Sequence, residues 1–144
     1  MIAIDTNVLV YARRTESPHH VAAKALIRQL AEGQPPWALP WPVLYEFVRV
    51  VTHPRVFDPP SPLEAVVRDL ESLLASPSLT MLGEGPGHVR QMATQLRSGV
   101  AAGNLAHDAH IAALVVEHGV TELLTADRDF ARFPGVRSRN PFSG

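Results

Sequence analysis

Four carboxylates, Asp5, Glu46, Asp108 and Asp127, each end an apolar strand-like run or ride the apolar stripe of a helix. An α/β fold with parallel strands gathers such positions at one edge of its sheet. Carboxylates packed that closely repel: at about 4 Å and an effective dielectric of about 20, each like-charge pair costs about 4 kcal/mol. A fold keeps such a cluster only when something positive occupies it. Mg²⁺ and Mn²⁺, hard ions that prefer oxygen ligands, are the natural occupants. A site of this kind does the work of a metal-dependent phosphodiesterase.

Each acid also has a plainer explanation. Asp5 follows the run Ile2–Ile4 and precedes Thr6-Asn7, where Asp serves equally as a helix N-cap. Asp108 shares a helical stripe with Ile111, Ala112 and Val115, so it faces inward at a helix start, where the macrodipole favours an anion. Glu46 shares a stripe with Val43, Phe47 and Val50, and Arg49 one turn later offers an ion pair. Asp129, two residues after Asp127, serves either as an auxiliary ligand or as a cap. Thr6, Asn7 and Thr125 sit beside the acids and suit the orientation of a carboxylate or a water.

These residues need a scaffold, and the chain supplies a strand–helix alternation. Ile2–Asp5, Trp37–Leu39, Ser78–Leu82, Thr121–Thr125 and Val136–Ser138 read as strands. Helices are expected over Val8–Tyr11, His19–Leu30, Val43–Thr52, a segment opened by Ser61-Pro62-Leu63-Glu64, Gly87–Leu96, and Ala106–His118 with Gly119 as its stop. Ser17 and Ser61 are expected N-caps, Glu64 completes a capping box, and Val21, Ala25, Leu26 and Leu30 form the apolar stripe of the second helix. The strands are apolar without alternation, which indicates a parallel sheet covered on both faces. Residues 1–144 are expected to form one domain, with a helical hairpin between Pro42 and Ala75 projecting from it.

At 144 residues the chain is long enough for a substantial core. No apolar run reaches the length of a membrane span, and Met-Ile-Ala-Ile-Asp lacks the layout of a signal peptide. The cytoplasm is therefore the expected location. Without cysteine, thiolate metal sites and cysteine nucleophiles are excluded. Thirteen basic and 14 acidic residues leave a net charge of −1, so any nucleic acid must be held by local arginines and metal; Arg13, Arg14 and Arg128 are candidates. His107 and His110 lie off the Asp108 stripe and are expected to face solvent or cap. Gly83–Gly87 lacks the Lys and Ser/Thr of a phosphate loop. A phosphatase with an Asp nucleophile needs a second Asp where Asn7 stands, and the only lysine, Lys24, is in a helix.

Asp5-Thr6-Asn7-Val8-Leu9, Glu46 in the third helix, Asp108-Ala109-His110-Ile111-Ala112-Ala113 and Leu124-Thr125-Ala126-Asp127-Arg128-Asp129-Phe130, then Pro134-Gly135, resemble in order the PIN domain. Within it, the likeness is to the VapC toxins of prokaryotic toxin–antitoxin pairs. The resemblance implies a three-layer α/β/α fold with a central parallel sheet of about five strands. It implies a Mg²⁺ or Mn²⁺ site formed by Asp5, Glu46, Asp108 and Asp127, with Asp129 auxiliary, and endonucleolytic cleavage of RNA. It further implies a homodimer silenced by a small VapB-like antitoxin. The competing expectation is a PIN-like module that binds RNA or a partner without cutting, which the loss of a core acid would favour.

Overall fold

Short, largely apolar runs supply four strands and the exposed pair Ser138–Arg139 a fifth; the computed structural model describes residues 1–143. The strands are β1 (Ile2–Ile4), β2 (Trp37–Pro40), β3 (Leu79–Leu82), β4 (Glu122–Leu124) and β5 (Ser138–Arg139). All pair in parallel, in the order β3-β2-β1-β4-β5. The chain builds outward from β1 to β3, then crosses back to lay β4 on the other side of β1. That reversal opens a crevice beyond the carboxyl ends of β1 and β4, where ligands bind in open α/β sheets.

Six helices complete a three-layer α/β fold: α1 (Thr6–Arg13), α2 (His20–Glu32), α3 (Trp41–Val51), α4 (Leu63–Leu74), α5 (His88–Gly99) and α6 (Leu105–Glu117). Ala3, Ile4, Trp37, Ala38 and Leu39 are fully buried, as strands covered on both faces require. Each large aliphatic or Phe side chain so buried contributes about 1.5–3 kcal/mol. Among the described residues no helix is long and apolar enough to cross a membrane.

Several local expectations are corrected. The buried face of α2 carries Ala23, Leu26, Ile27 and Leu30, while Val21 is 80% exposed and Ala25 also faces solvent. The shifted stripe is the face with which α2 packs on α1. Ser61 does not cap α4: Pro62 occupies the cap position, and the Ser61 hydroxyl accepts from Arg14 Nη1 at 3.1 Å. Ser17 caps no helix either; its Oγ accepts from His19 N, one residue ahead of α2. Between Pro42 and Ala75, α3 packs against α1, α6 and β2, and α4 packs against α3. The α5 helix runs on to Gly99, and β5 begins at Ser138 rather than Val136.

Candidate metal centre

The crevice end of β1 passes directly into α1, and Asp5 stands at the junction as the N-cap. Its Oδ1 accepts from Thr6 N at 2.7 Å, so the capping role is real. Its Oδ2 is committed elsewhere, accepting from Thr125 Oγ1 at 2.7 Å and Asn7 Nδ2 at 3.0 Å. Thr125, just past β4, also accepts from Asp127 N and Asn7 Nδ2. Asn7 Oδ1 receives Ala126 N at 3.0 Å. One small network therefore ties the ends of the two adjacent central strands and fixes the direction of Asp5.

Asp127 follows at the N-cap of a 3-10 helix, Arg128–Arg132, and accepts from Asp129 N at 2.8 Å. Asp108, in the first turn of α6, meets it from the opposite side. Asp108, Asp127 and Asp129 each offer an oxygen, all within 4.8 Å of one another. Asp129 thus joins the group while its backbone also completes the cap. Glu46 reaches the site from α3, its side chain 22% exposed, with Arg49 Nη2 3.5 Å and His107 Nε2 3.0 Å from Oε2.

The electrostatics register the crowding. Burial pushes the Asp5 carboxyl up to about 6, partly offset by its hydrogen bonds from Thr125 and Thr6, while the charges of Glu46 and Asp127 add to the rise. Burial, then the charges of Asp127 and Asp5, push Asp108 up to about 7. Burial also raises Glu46, but His107 and Arg49 outweigh it and hold that carboxyl below its usual value. In return Glu46 raises the His107 imidazole.

The residues present fit a hard divalent cation. The donors are carboxylate oxygens, the donor type such ions select. Two buried polar atoms beside the cluster, Thr6 Oγ1 and His107 Nε2, turn to the Glu46 carboxylate without well-aligned hydrogen bonds. Buried polar atoms so weakly partnered are uncommon in folded proteins and call for an unseen ligand or water.

Two histidines depart from expectation. His107 turns toward Glu46, and His110 pairs with Glu84 Oε1 at 2.8 Å, so neither simply faces solvent. Both side chains are about 30% exposed at the cleft, where an acid from another element, Glu46 on α3 or Glu84 after β3, meets each of them. Arg14 is likewise occupied: it pairs with Glu16 at 2.6 Å, donates to Ser61 and Pro59, and lies over the Phe57 ring. Arg13 pairs with Asp69 at 3.1 Å, and Arg128 is exposed. Glu46 and His107 open onto a cleft of about 590 Å³ bordered by Trp41, Tyr45 and Arg49. Trp41 and Tyr45, exposed aromatics four residues apart on α3, were the sequence signal for that wall.

The PIN domain family matches residues 2–136. The chain belongs to the PIN domain family. Ribonuclease VapC48 of Mycobacterium tuberculosis is 38% identical over 143 residues, covering 97% of each chain. Ribonuclease VapC43 of the same organism is 40% identical over 147 residues, covering 100% of this chain and 97% of that one. Among solved structures, a VapBC2 complex from Rickettsia felis bound to a promoter DNA fragment superposes with a TM-score of 0.68 at 22% identity. It covers 97% of this chain and 98% of that one, a likeness of fold. Within this PIN domain Asp108, Asp127 and Asp129 form the close group, and Asp5 at the end of β1 and Glu46 on α3 stand near enough for their charges to be felt there but outside that group.

Proposed function

We propose that the chain is a divalent-metal-dependent endoribonuclease, the toxin of a VapBC-type pair, acting in the cytoplasm as a homodimer and restrained by a VapB-like antitoxin. Residues 1–144 act as a single domain. The observation that carries this is the meeting of carboxylates from separate segments: burial first, and then the charges of the neighbouring acids, raise Asp5 and Asp108, and Asp108, Asp127 and Asp129 each offer an oxygen within 4.8 Å of the others. The VapC ribonucleases similar over nearly the whole length support the same activity, and the VapBC2 complex of the same fold is what suggests the class of partner.

Asp5, Glu46, Asp108 and Asp127 would hold the ion, Mg²⁺ or Mn²⁺, with Asp129 assisting. Such an ion would supply positive charge for the scissile phosphate and acidity for a nearby water. Thr125 and Asn7 keep Asp5 in one orientation, so the charge is in place before substrate arrives. Asp108, half-buried and with raised proton affinity, orients the attacking water. Water oxygen bonds to phosphorus, the bond to the 3′ oxygen breaks, and that oxygen takes a proton, leaving 5′-phosphate and 3′-hydroxyl ends. Arg49, exposed at the cleft, is the cation best placed to meet the RNA backbone.

Asp5→Asn is the direct test. Loss of an ion ligand is expected to cost at least the roughly 100-fold that its orienting partners cost, with the fold retained, since Asn relieves buried charge. Cleavage of RNA by the variant at the parent rate, in Mg²⁺ or Mn²⁺, would overturn the assignment. A short antitoxin reading frame directly upstream of the gene is expected for the toxin role.

A further inference from the structure

A second group of ligating side chains stands outside the acid centre. His110 Nε2 meets Glu84 Oε1 at 2.8 Å, and His88 Nδ1 meets Glu117 Oε2 at 3.0 Å. The two imidazoles lie edge to face, ring centres 5.3 Å apart. Glu84, His88 and His110 each offer one ligand atom, and all three lie within 4.8 Å of one another. They come from three places: the loop after β3, the first residue of α5, and α6. The loop is anchored as well, since Gly85 N donates to Glu117 Oε1 at 2.8 Å. A Cβ at Gly85 would stand 2.6 Å from that oxygen, so a larger residue there would displace the Glu117 carboxylate.

Two imidazoles and a carboxylate do not suit Mg²⁺, which demands oxygen, but they match Zn²⁺, which takes His₂Glu sets with a fourth position open. Ligand atoms about 2.1 Å from a tetrahedral zinc stand about 3.4 Å apart, so side-chain rotation closes the present group around an ion. Glu117 supplies the outer partner that histidine ligands ordinarily have. By holding His88 Nδ1 it leaves Nε2 as the metal donor. We propose that Glu84, His88 and His110 form a Zn²⁺-type site separate from the acid centre, with Glu117 orienting His88. Glu84 and His110 also line the cleft beside Glu46, so the ion sits at the cleft rim and pins the Gly83–Gly87 loop to α6.

The test needs no ribonuclease assay. With Mg²⁺ in excess and Asp108→Asn weakening the acid centre, competition between the full chain and a chromophoric zinc chelator is expected to show one Zn²⁺ per chain. His88→Gln and His110→Gln should each weaken that affinity by about tenfold or more. Co²⁺ in place of Zn²⁺ should give the visible bands of a four-coordinate ion, lost in the histidine variants. Melting of the metal-free variants, expected to match the parent, separates a lost ligand from a lost fold. If His88→Gln fails to fold, His110→Gln and Glu84→Gln carry the comparison. No zinc retained against Mg²⁺, or unchanged affinity in the histidine variants, would refute the site. A parent that cleaves no RNA would leave this result untouched.

Discussion

Thr125 has a single hydroxyl that donates to Asp5 Oδ2 and accepts from Asp127 N and Asn7 Nδ2. Its removal therefore loosens two of the crevice acids together. Thr125→Val keeps the shape but leaves buried groups unpartnered, a loss worth about 1–3 kcal/mol. The expected outcome is a lower urea midpoint together with weaker Mg²⁺ dependence of cleavage. An unchanged midpoint would show that water replaces the hydroxyl. Asp5 also shows why residue type alone left its role open: one oxygen caps α1 and the other faces the network. A cap and a ligand carry the same signature in sequence.

At the level of elements, α6 is the piece that sequence periodicity describes least well. Asp108 shares a stripe with Ile111, Ala112 and Val115, yet Ala113 and Leu114 are equally buried, so no single stripe defines its inward face. The Asp108 stripe alone turns His107 away from the site, whereas its ring faces Glu46 on α3. The approach to α6 is held by another close contact: Gly99, at the end of α5, lies against Phe133. A Cβ there would stand 2.5 Å from Phe133 Cε1, and Arg132 Nη1 donates to the Gly99 carbonyl. Gly99→Ala gains helix propensity but collides with a rigid buried ring. Overpacking of this kind costs about 1–3 kcal/mol, so calorimetry should find a lower melting temperature. A raised one would mean the ring moves freely.

For the molecule as a whole, the raised acids make stability depend on pH and on cation together. Asp5 and Asp108 hold a proton up to about 6 and about 7 when folded, against an ordinary value of 3.8. Protonation therefore favours the folded state, and cation-free protein should lose stability as pH rises from about 4 to about 7. His107, raised by Glu46, adds a loss of the same sign above 6.5, while Glu46, held below 4.5, works the other way only in acid. Melting in EDTA should thus be lower at pH 8 than at pH 5. Mg²⁺ should raise it more at pH 8, where the ion meets ionised carboxylates. Equal melting temperatures at both pH values, with or without Mg²⁺, would mean the acids do not repel.

The strand order was not readable from the chain, but its ingredients were. Continuous apolar runs at Ile2–Ile4, Trp37–Leu39 and Leu123-Leu124 required a sheet buried on both faces, and hence parallel pairing, because local hydrophobic pattern reports burial directly. The acids at the strand ends were legible for the same reason, while the order of the motifs was legible only through the resemblance to the PIN domain. Whether Arg14 is spent on Glu16 and Ser61, whether His107 turns to Glu46, and whether Glu84, His88 and His110 meet were decided only in three dimensions. Those contacts join residues from different elements, and charge or hydrogen-bond partners distant in sequence leave no periodicity to read.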